Sequence, residues 1–389
     1  MAKSEMPHVA VLVDTATGWG RRLVRGIIDY NRSHGSWYLW IQSRGQETPI
    51  SLPPRWRGEG IIARIGSRAA AKKIATNGAS VVNISAIEIK GVDFPRVATD
   101  LSAAGRMGAE HLLDRGFVHF AYYGLKNQSF VNRHYRGFAD AVSGVCKECA
   151  FYGTTSESVS RKRAAWSSQQ KGLVRWLKKL AKPVAIVAWT TEFGREIIHA
   201  CRQAGILVPE QVAVLAADDD DLLCEACTPS LSGIRLSSEQ IGYKAAKLLD
   251  RMMRGHKPPK KSIFVAPTGI TARQSTDTLA VDDVDLARAI AFIRGHASEA
   301  IQVSDVLRAV PVSRRLLERH FQQLLGRSPA QEIRRVRMER AKQLLAETTM
   351  VIPDVAAASG FGSPEHFARV FKSQVGQTPL KYRFSIRGH

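Results

Sequence analysis

Along the first two thirds of the chain, short apolar runs rich in β-branched residues alternate with longer stretches in which apolar positions recur every three or four residues. The runs fall at residues 9–13, 38–42, 60–63, 80–84, 117–123, 184–189 and 212–216, and the helical stretches between them include 20–34, 101–115, 166–180 and 193–205. Short apolar runs bounded by turn residues read as strands buried on both faces, and the amphipathic stretches supply the helices that cover them. The pattern predicts a largely parallel sheet with helices on both sides. There are too many units for one compact sheet, so we expect two lobes, roughly 7–115 and 117–234, with the chain crossing back afterwards. Ligands of such sheets bind outside the carboxyl ends of the strands, here in a cleft bordered by residues 14–21, 124–127, 190–191 and 217–221.

Near the C-terminus the pattern changes to one short unit written twice. Ser313-Arg314-Arg315-Leu316-Leu317-Glu318-Arg319-His320-Phe321, followed by Gly326-Arg327-Ser328-Pro329, returns as Ser363-Pro364-Glu365-His366-Phe367-Ala368-Arg369-Val370-Phe371, followed by Gly376-Gln377-Thr378-Pro379. A short amphipathic segment precedes each copy, at 303–310 and 352–359, with a tight turn between, Pro311-Val312 or Gly360-Phe361-Gly362. This is helix, turn, helix, twice. Leu317, Phe321 and Leu324, widened by Leu316 and Leu325, make one apolar face, and Phe367, Val370, Phe371 and Val375 make the other. Arg315 and Arg319 share the opposite face with Glu318, and Glu365 and Arg369 repeat that placement. Such a helix fits a major groove about 12 Å wide, where Arg pairs with guanine and Glu accepts from cytosine.

These residues resemble the DNA-binding domain of the AraC-type transcription regulators over roughly residues 285–385, through Ser-Arg-Arg-x-Leu-x-Arg-x-Phe, Gly-x-Ser-Pro, Arg337-x-x-x-Ala341-x-x-Leu344-Leu345, Gly360-Phe361 and Gly-x-Thr-Pro379-x-x-Tyr382-Arg383. The resemblance implies one linking helix, about 330–346, and two recognition helices in successive major grooves of one DNA face. The candidate DNA contacts are Arg314, Arg315, Glu318, Arg319, Ser363, Glu365, His366, Arg369 and Lys372. Pro364 is compatible with the first turn of a helix, where N–H groups have no intrahelical partner.

Charge supports that reading without proving it. The 389 residues carry a formal +21, with 17 Lys+Arg against 8 Asp+Glu from Arg288 to His389, so +9 sits on about a quarter of the chain and +12 on the rest. A polyanionic partner is expected. The clusters Arg161-Lys162-Arg163, Lys178-Lys179 and Lys257 to Lys261 read as solvated surface. No apolar run is long enough to span a membrane, and the run at 9–13 is interrupted at once by Asp14, so we expect a cytoplasmic protein without membrane association. No catalytic triplet, phosphate-cradling loop or metal-spaced ligand set appears, and neither an enzyme nor a cofactor is expected. Cys146/Cys149 and Cys224/Cys227 form two C-x-x-C pairs, but one pair follows a helix and the other a strand, which should keep them apart, as small buried hydrophobes.

The first 275 residues resemble the periplasmic-binding-protein-like sensor of LacI-type regulators, through Ala98-Thr99-Asp100, Phe120-Ala121-Tyr122-Tyr123-Gly124, Arg136-Gly137-Phe138, Ala188-Trp189-Thr190-Thr191 and Val214-Leu215-Ala216-Ala217-Asp218. The whole is then an α/β two-lobed periplasmic-binding-protein-like sensor domain (1–275), a linker (276–285) and an all-α domain with two helix-turn-helix motifs (286–389). The resemblance implies a transcription regulator, an activator, with a small xylose-like pentose as effector, RNA polymerase as partner and a homodimer as working state. A sugar offers adjacent hydroxyls and a flat C–H face. Asp218 is the expected hydroxyl acceptor, Arg21 and Arg133 the donors and Trp19 the stacking platform, with Thr191 beside them. Thr191 stands where that family usually has Asp or Asn, and His134 where Arg is common. These departures leave open a non-pentose ligand, or a constitutive DNA-binding regulator with a degenerate sensor. A solute-capture protein would account for the first 275 residues but needs an export signal.

Overall fold

Each apolar run of the first two thirds becomes a strand in the computed structural model, which describes residues 6–34, 37–43, 45, 49–76, 78–146, 148–155, 164–278, 284–325 and 327–387. Contacts divide the chain into two units, Met1–Ala280 and Val281–His389. Arg161-Lys162-Arg163, Gly326 and residues 279–283 of the expected linker lie outside the described residues.

Lobe 1 of the first unit holds β1 (His8–Leu12), α1 (Gly18–His34), β2 (Tyr38–Ile41), β3 (Gly60–Ala63), α2 (Arg68–Ala75) and β4 (Ser80–Asn83), in a parallel sheet of order β2-β1-β3-β4. Beside it, β5 (Val97–Thr99) pairs in parallel with β11 (Ile263–Val265). Lobe 2 holds α3 (Leu101–Leu113), β6 (His119–Leu125), α4 (Ser129–Val142), β7 (Ala150–Thr154), α5 (Ala164–Lys179), β8 (Val184–Ala188), α6 (Thr191–Ala204), β9 (Val212–Ala216), α7 (Asp221–Glu225) and β10 (Ser232–Arg235). Its sheet runs β12-β10-β9-β8-β6-β7, with β12 (Gly269–Thr271) the one antiparallel member. Between β10 and β11 the helix α8 (Ser238–Met253) returns to lobe 1.

The expected lobe boundary needs correction. Residues 101–113 belong to lobe 2: Ala104, Ala109 and Leu112 are buried with Phe120, Phe138 and Val187 rather than with lobe 1. The chain crosses just after Thr99, where Asp100 caps α3 by accepting from Ala103 N–H at 2.9 Å. Strands β5, β7, β10, β11 and β12 were not foreseen.

On one face of the lobe 1 sheet, Leu23, Ile27 and Tyr30 of α1 and Ile241, Ala245 and Leu249 of α8 cover Val9, Val11 and Val82. The helices meet backbone to backbone. A Cβ at Gly26 would lie 1.9 Å from the Glu239 carbonyl oxygen and one at Gly242 2.1 Å from that of Leu23. Across the lobe 2 sheet, side chains alternate between two cores. Tyr123, Ile186 and Val214 point to the face where Cys224 and Cys227 pack, and Tyr122, Val187 and Leu215 to the face where Cys146 and Cys149 pack. The C-x-x-C pairs are therefore on opposite sides of one sheet, and all five cysteines are free thiols.

The second unit contains α9 (Val284–Gly295), α10 (Val303–Ala309), α11 (Arg314–Leu325), α12 (Pro329–Glu347), α13 (Ile352–Ala358), α14 (Pro364–Val375) and α15 (Pro379–Arg387). Leu317 and Phe321 bury one half, and Phe367 and Phe371 join Met338, Ala341 and Leu345 of α12 in the other. Ser328 and Gln331 form a reciprocal capping box that starts α12, with Pro329 in its first turn. From α12, Arg337 donates to the carbonyls of Glu299 (3.1 Å) and Ile301 (2.7 Å), and Arg340 to that of Ala358 (2.6 Å). One helix thus fastens both halves. Gly360, at φ 72°, makes the turn before α14 where a Cβ would lie 2.5 Å from the Glu299 oxygen. No described helix is long and apolar enough to cross a membrane.

At the start of α12, Glu332 is 1% exposed and receives Arg327 at 2.5 Å and Arg335 at 2.7 Å. Burial alone would raise its pKa, but Arg335, with Arg327 and Arg294, holds the carboxyl below its ordinary value. A depressed carboxyl stabilises the fold above its unfolded pKa and ceases to as pH falls through the folded one. Glu332→Gln should therefore cost about 1–3 kcal/mol at pH 7. Urea denaturation of the full chain should show that difference shrinking below pH 4, and an equal loss at both pH values would remove the ion pairs as the cause.

Candidate ligand cleft and nucleic-acid interface

The carboxyl end of β9 runs into four consecutive aspartates, and each is held differently. Asp218 is half-buried; its Oδ1 accepts from the Thr191 N–H at 2.6 Å and the Thr191 hydroxyl at 2.8 Å. Burial and the nearby Glu192 push Asp218 up to about 7, against the two Thr191 hydrogen bonds and with a smaller upward push from Asp220. Asp219 points away from the cleft, accepting from Arg273 Nη1 at 2.7 Å and from the Thr271 hydroxyl at 2.5 Å. Asp220 reaches lobe 1, where its Oδ2 accepts from Gly18 N–H at 2.7 Å, and its Oδ1 is buried without a partner among the described residues. An anion there suits the N-terminus of α1. Asp221 begins α7 and lies 3.4 Å from Arg22 Nη1.

The residues expected to bind ligand are only partly brought together. Thr191 is 0% exposed, and its hydroxyl serves Asp218 rather than a ligand; the side chain positions the carboxylate. Arg21 is exposed, and its guanidinium turns back onto the carbonyls of Thr15 (3.3 Å) and Ala16 (2.9 Å). Its neighbour Arg22 is the residue that crosses the cleft, donating to the Asp219 carbonyl as well as meeting Asp221. Helical phase explains the exchange: α1 starts at Gly18, and Arg22 lies one turn further on, about 100° round the helix from Arg21. Sequence reasoning had the signal for Arg22 and chose its neighbour.

Trp19 packs against the lobe 1 core with Arg64 over its ring at 5.7 Å, and Arg64 is fixed by buried Asp14 at 2.6 Å. Arg133 also crosses between lobes, to Glu88 at 2.7 Å, with Phe264 beneath its guanidinium at 6.0 Å. Arg96 shares both partners, at 3.6 Å and 6.0 Å. Arg133 is thus committed to an interlobe ion pair. His134 is 1% exposed, with Nδ1 3.0 Å from the Tyr122 hydroxyl, Nε2 buried without a partner among the described residues and Trp189 against its ring at 5.7 Å. Burial lowers its pKa to about 3, so the ring is neutral. Among the described residues no group of three or more His, Cys, Asp or Glu is placed to hold a metal ion.

In the second unit Arg314, Arg315, Glu318 and Arg319 of α11 are all exposed, opposite buried Leu317 and Phe321. Arg314 pairs with Glu318 at 3.0 Å, which leaves Arg315 and Arg319 as the cations of that face without an acidic partner among the described residues. On α14, Glu365, His366, Arg369 and Lys372 are exposed. Ser363 is the N-cap, its hydroxyl oxygen accepting from His366 N–H at 3.2 Å, so its first duty is to the helix.

Two family models match the chain: a periplasmic binding protein-like domain over residues 109–276 and a helix-turn-helix domain over residues 306–384. A solved structure of a xylose-binding transcription activator superimposes with a TM-score of 0.80 at 27% identity, covering 98% of each chain. The xylose operon regulatory protein of Escherichia coli K12 is 29% identical over 384 residues, 97% of this chain and 96% of that one. Its counterpart in Haemophilus influenzae is 32% identical over 295 residues, 75% of each chain. The chain belongs to the family of the xylose operon regulatory proteins. It is a transcription regulator of that family, not an enzyme, with a periplasmic-binding-protein-like unit ahead of a helix-turn-helix unit.

The raised pKa of Asp218 has a testable sign in this regulator. Its folded-state value lies above the ordinary one, so its contribution favours folding at acid pH and is lost as pH rises through about 7. Asp218→Asn should therefore stabilise the ligand-free protein at pH 8 by on the order of 1–3 kcal/mol relative to its effect at pH 5. Thermal unfolding at the two pH values checks this; an equal effect at both would remove the buried charge as the cause. For the helix faces, Arg315→Ala or Arg319→Ala should cost on the order of 5- to 150-fold at one base position. Lys372→Ala should weaken all sequences alike and lower the salt slope by roughly one. A panel of single-base operator variants, titrated at several salt concentrations, separates the two behaviours.

Proposed function

We propose that this regulator binds operator DNA through both exposed helices, α11 and α14, and that a monosaccharide, a pentose of the xylose type, occupies the interlobe cleft and controls that binding. The proposed division is 1–275 for sensing, 276–285 as connection and 286–389 for DNA. We further propose that it works in the cytoplasm as a homodimeric activator, with RNA polymerase as partner. The observation that carries the reading is the pairing, in one chain, of a hydrogen-bonded carboxylate at a strand end beside the contacts between the lobes with a duplicated helix that exposes arginines. Relatives named for xylose, matched along nearly their full length, supply the sugar.

In the cleft, Asp218 accepts sugar hydroxyls through the oxygen that Thr191 leaves open. Arg22 and Asp220 then form the rim across which the lobes meet. Both recognition helices engage one DNA face, with elements about 10–10.5 base pairs apart for each protomer. The inward turn of Thr191 favours a second reading on the ligand alone. With the Thr191 hydroxyl spent on Asp218, a metabolite other than a pentose fits the same mechanism.

A thermal-shift screen over common pentoses and hexoses comes first. The best sugar is then titrated into wild type and Asp218→Ala, each with and without an operator selected by the protein from a random duplex pool. Asp218→Ala should lower sugar affinity roughly 5- to 150-fold and leave DNA binding without sugar nearly unchanged. Sugar and DNA must alter each other's affinity by one common factor. Equal sugar affinity in both proteins would take Asp218 out of the site, and a common factor of one would leave a sensor that does not regulate.

A further inference from the structure

Lobe 1 carries a strongly basic face that neither the cleft nor the recognition helices use. On α8, Lys244, Lys247 and Arg251 recur at i, i+3 and i+7, and all three are exposed. On α1, Arg25 and Arg32 are two turns apart and exposed. Both helices cover the same side of the lobe 1 sheet, crossing at Gly26 and Gly242, so their outward stripes form one surface. The exposed acids on the two helices are Asp29 and Glu239, and none of the five cations has an ion pair among the described residues. Arg254 is excluded from the count because Asp250 neutralises it at 3.0 Å. The turn after α8 adds Lys257, Lys260 and Lys261, also exposed.

The geometry points to duplex DNA outside the operator as the occupant of this face, held by its phosphates; the proposal rests on the DNA-binding reading above. Unpaired cations spaced along helices neutralise a line of phosphates and carry no sequence information. A protein partner would need an apolar anchor, yet none of the exposed large apolar side chains of the described residues lies on α1 or α8. A second copy of the chain meeting this face with its own would set like charges opposite each other. The same chain, moreover, delivers a duplex through its second unit, which raises the local concentration of phosphate around the first. The face thereby adds non-specific affinity for duplex DNA.

The test uses the full chain and random-sequence duplexes of about 20 and about 60 base pairs, the shorter spanning the two grooves that the recognition helices need. Lys244→Glu/Lys247→Glu/Arg251→Glu is compared with wild type, and with Lys171→Glu/Lys178→Glu/Lys179→Glu, an equal charge change on exposed positions of α5. On the long duplex the slope of log K against log salt should become shallower by about 2–3 for the α8 variant, with affinity down roughly 10- to 100-fold at low salt. On the short duplex it should stay within about threefold of wild type, and the α5 variant should follow wild type on both. An unchanged slope on the long duplex, an equal loss on both lengths, or an equal loss in the α5 variant would overturn the proposal. Should the α8 variant fail to fold, Lys247→Ala alone takes its place: a slope lowered by about one on the long duplex supports the proposal, and an unchanged slope overturns it. Wild type that binds neither duplex would instead overturn the DNA-binding reading itself.

Discussion

Asp218 to Asp221 place four carboxylates in succession at the end of a buried strand, and the different partner that each one takes ties the first unit together. Thr191 takes one, Arg273 and Thr271 the next, the N-terminus of α1 the third and Arg22 the fourth. One loop therefore faces the cleft, the opposite lobe and the outgoing chain at once. The side chains of the Asp219–Arg273 pair are only 8% and 6% exposed. Removing one partner from such a pair costs far more than replacing both, because a lone charge stays buried.

Arg273 is also near the end of the first unit. Two residues on, Ser275 donates to the Val214 carbonyl at 2.6 Å, and Thr276 donates to Ser232 at 2.8 Å while its carbonyl accepts from Arg115 at 2.7 Å. His111 closes the network 3.0 Å from the Thr276 hydroxyl, and burial with Arg115 beside it lowers its pKa to about 3. The segment that leaves lobe 2 is thus fixed to the strands that carry the aspartate loop.

The duplicated motif was legible because helical periodicity, turn residues and repetition all agreed, whereas the linking helix, expected at about 330–346 from the family resemblance alone, is α12. Strands β5 and β12 were not, since three residues such as Val97–Thr99 or Gly269–Thr271 carry no usable period. The assignment of residues 101–113 to the wrong lobe has a different cause: an amphipathic helix announces that it has a buried face but not which sheet receives it. In the cleft, residue type was readable and direction was not. Arg21 and Arg22 are the same chemistry, separated only by where α1 begins, and Thr191 reads as a ligand residue until its hydroxyl is seen to face Asp218. The exposed stripe on α8 was written in its spacing, but its joining with α1 into one surface depends on two glycines far apart in sequence, Gly26 and Gly242, each admitting the backbone of the other helix.

The two hydrogen bonds from Thr191 fix the Asp218 carboxylate before anything enters the cleft. Ordering a free side chain on binding costs about 0.5–1.5 kcal/mol, and here that entropy has already been given up in folding. The association should accordingly show a smaller entropic penalty than a mobile carboxylate would impose. In the proposed ligand site such a group also cannot rotate to meet a misplaced hydroxyl, so selectivity there would arise from rigidity, with the stereochemistry of the ligand read against an oxygen held in place.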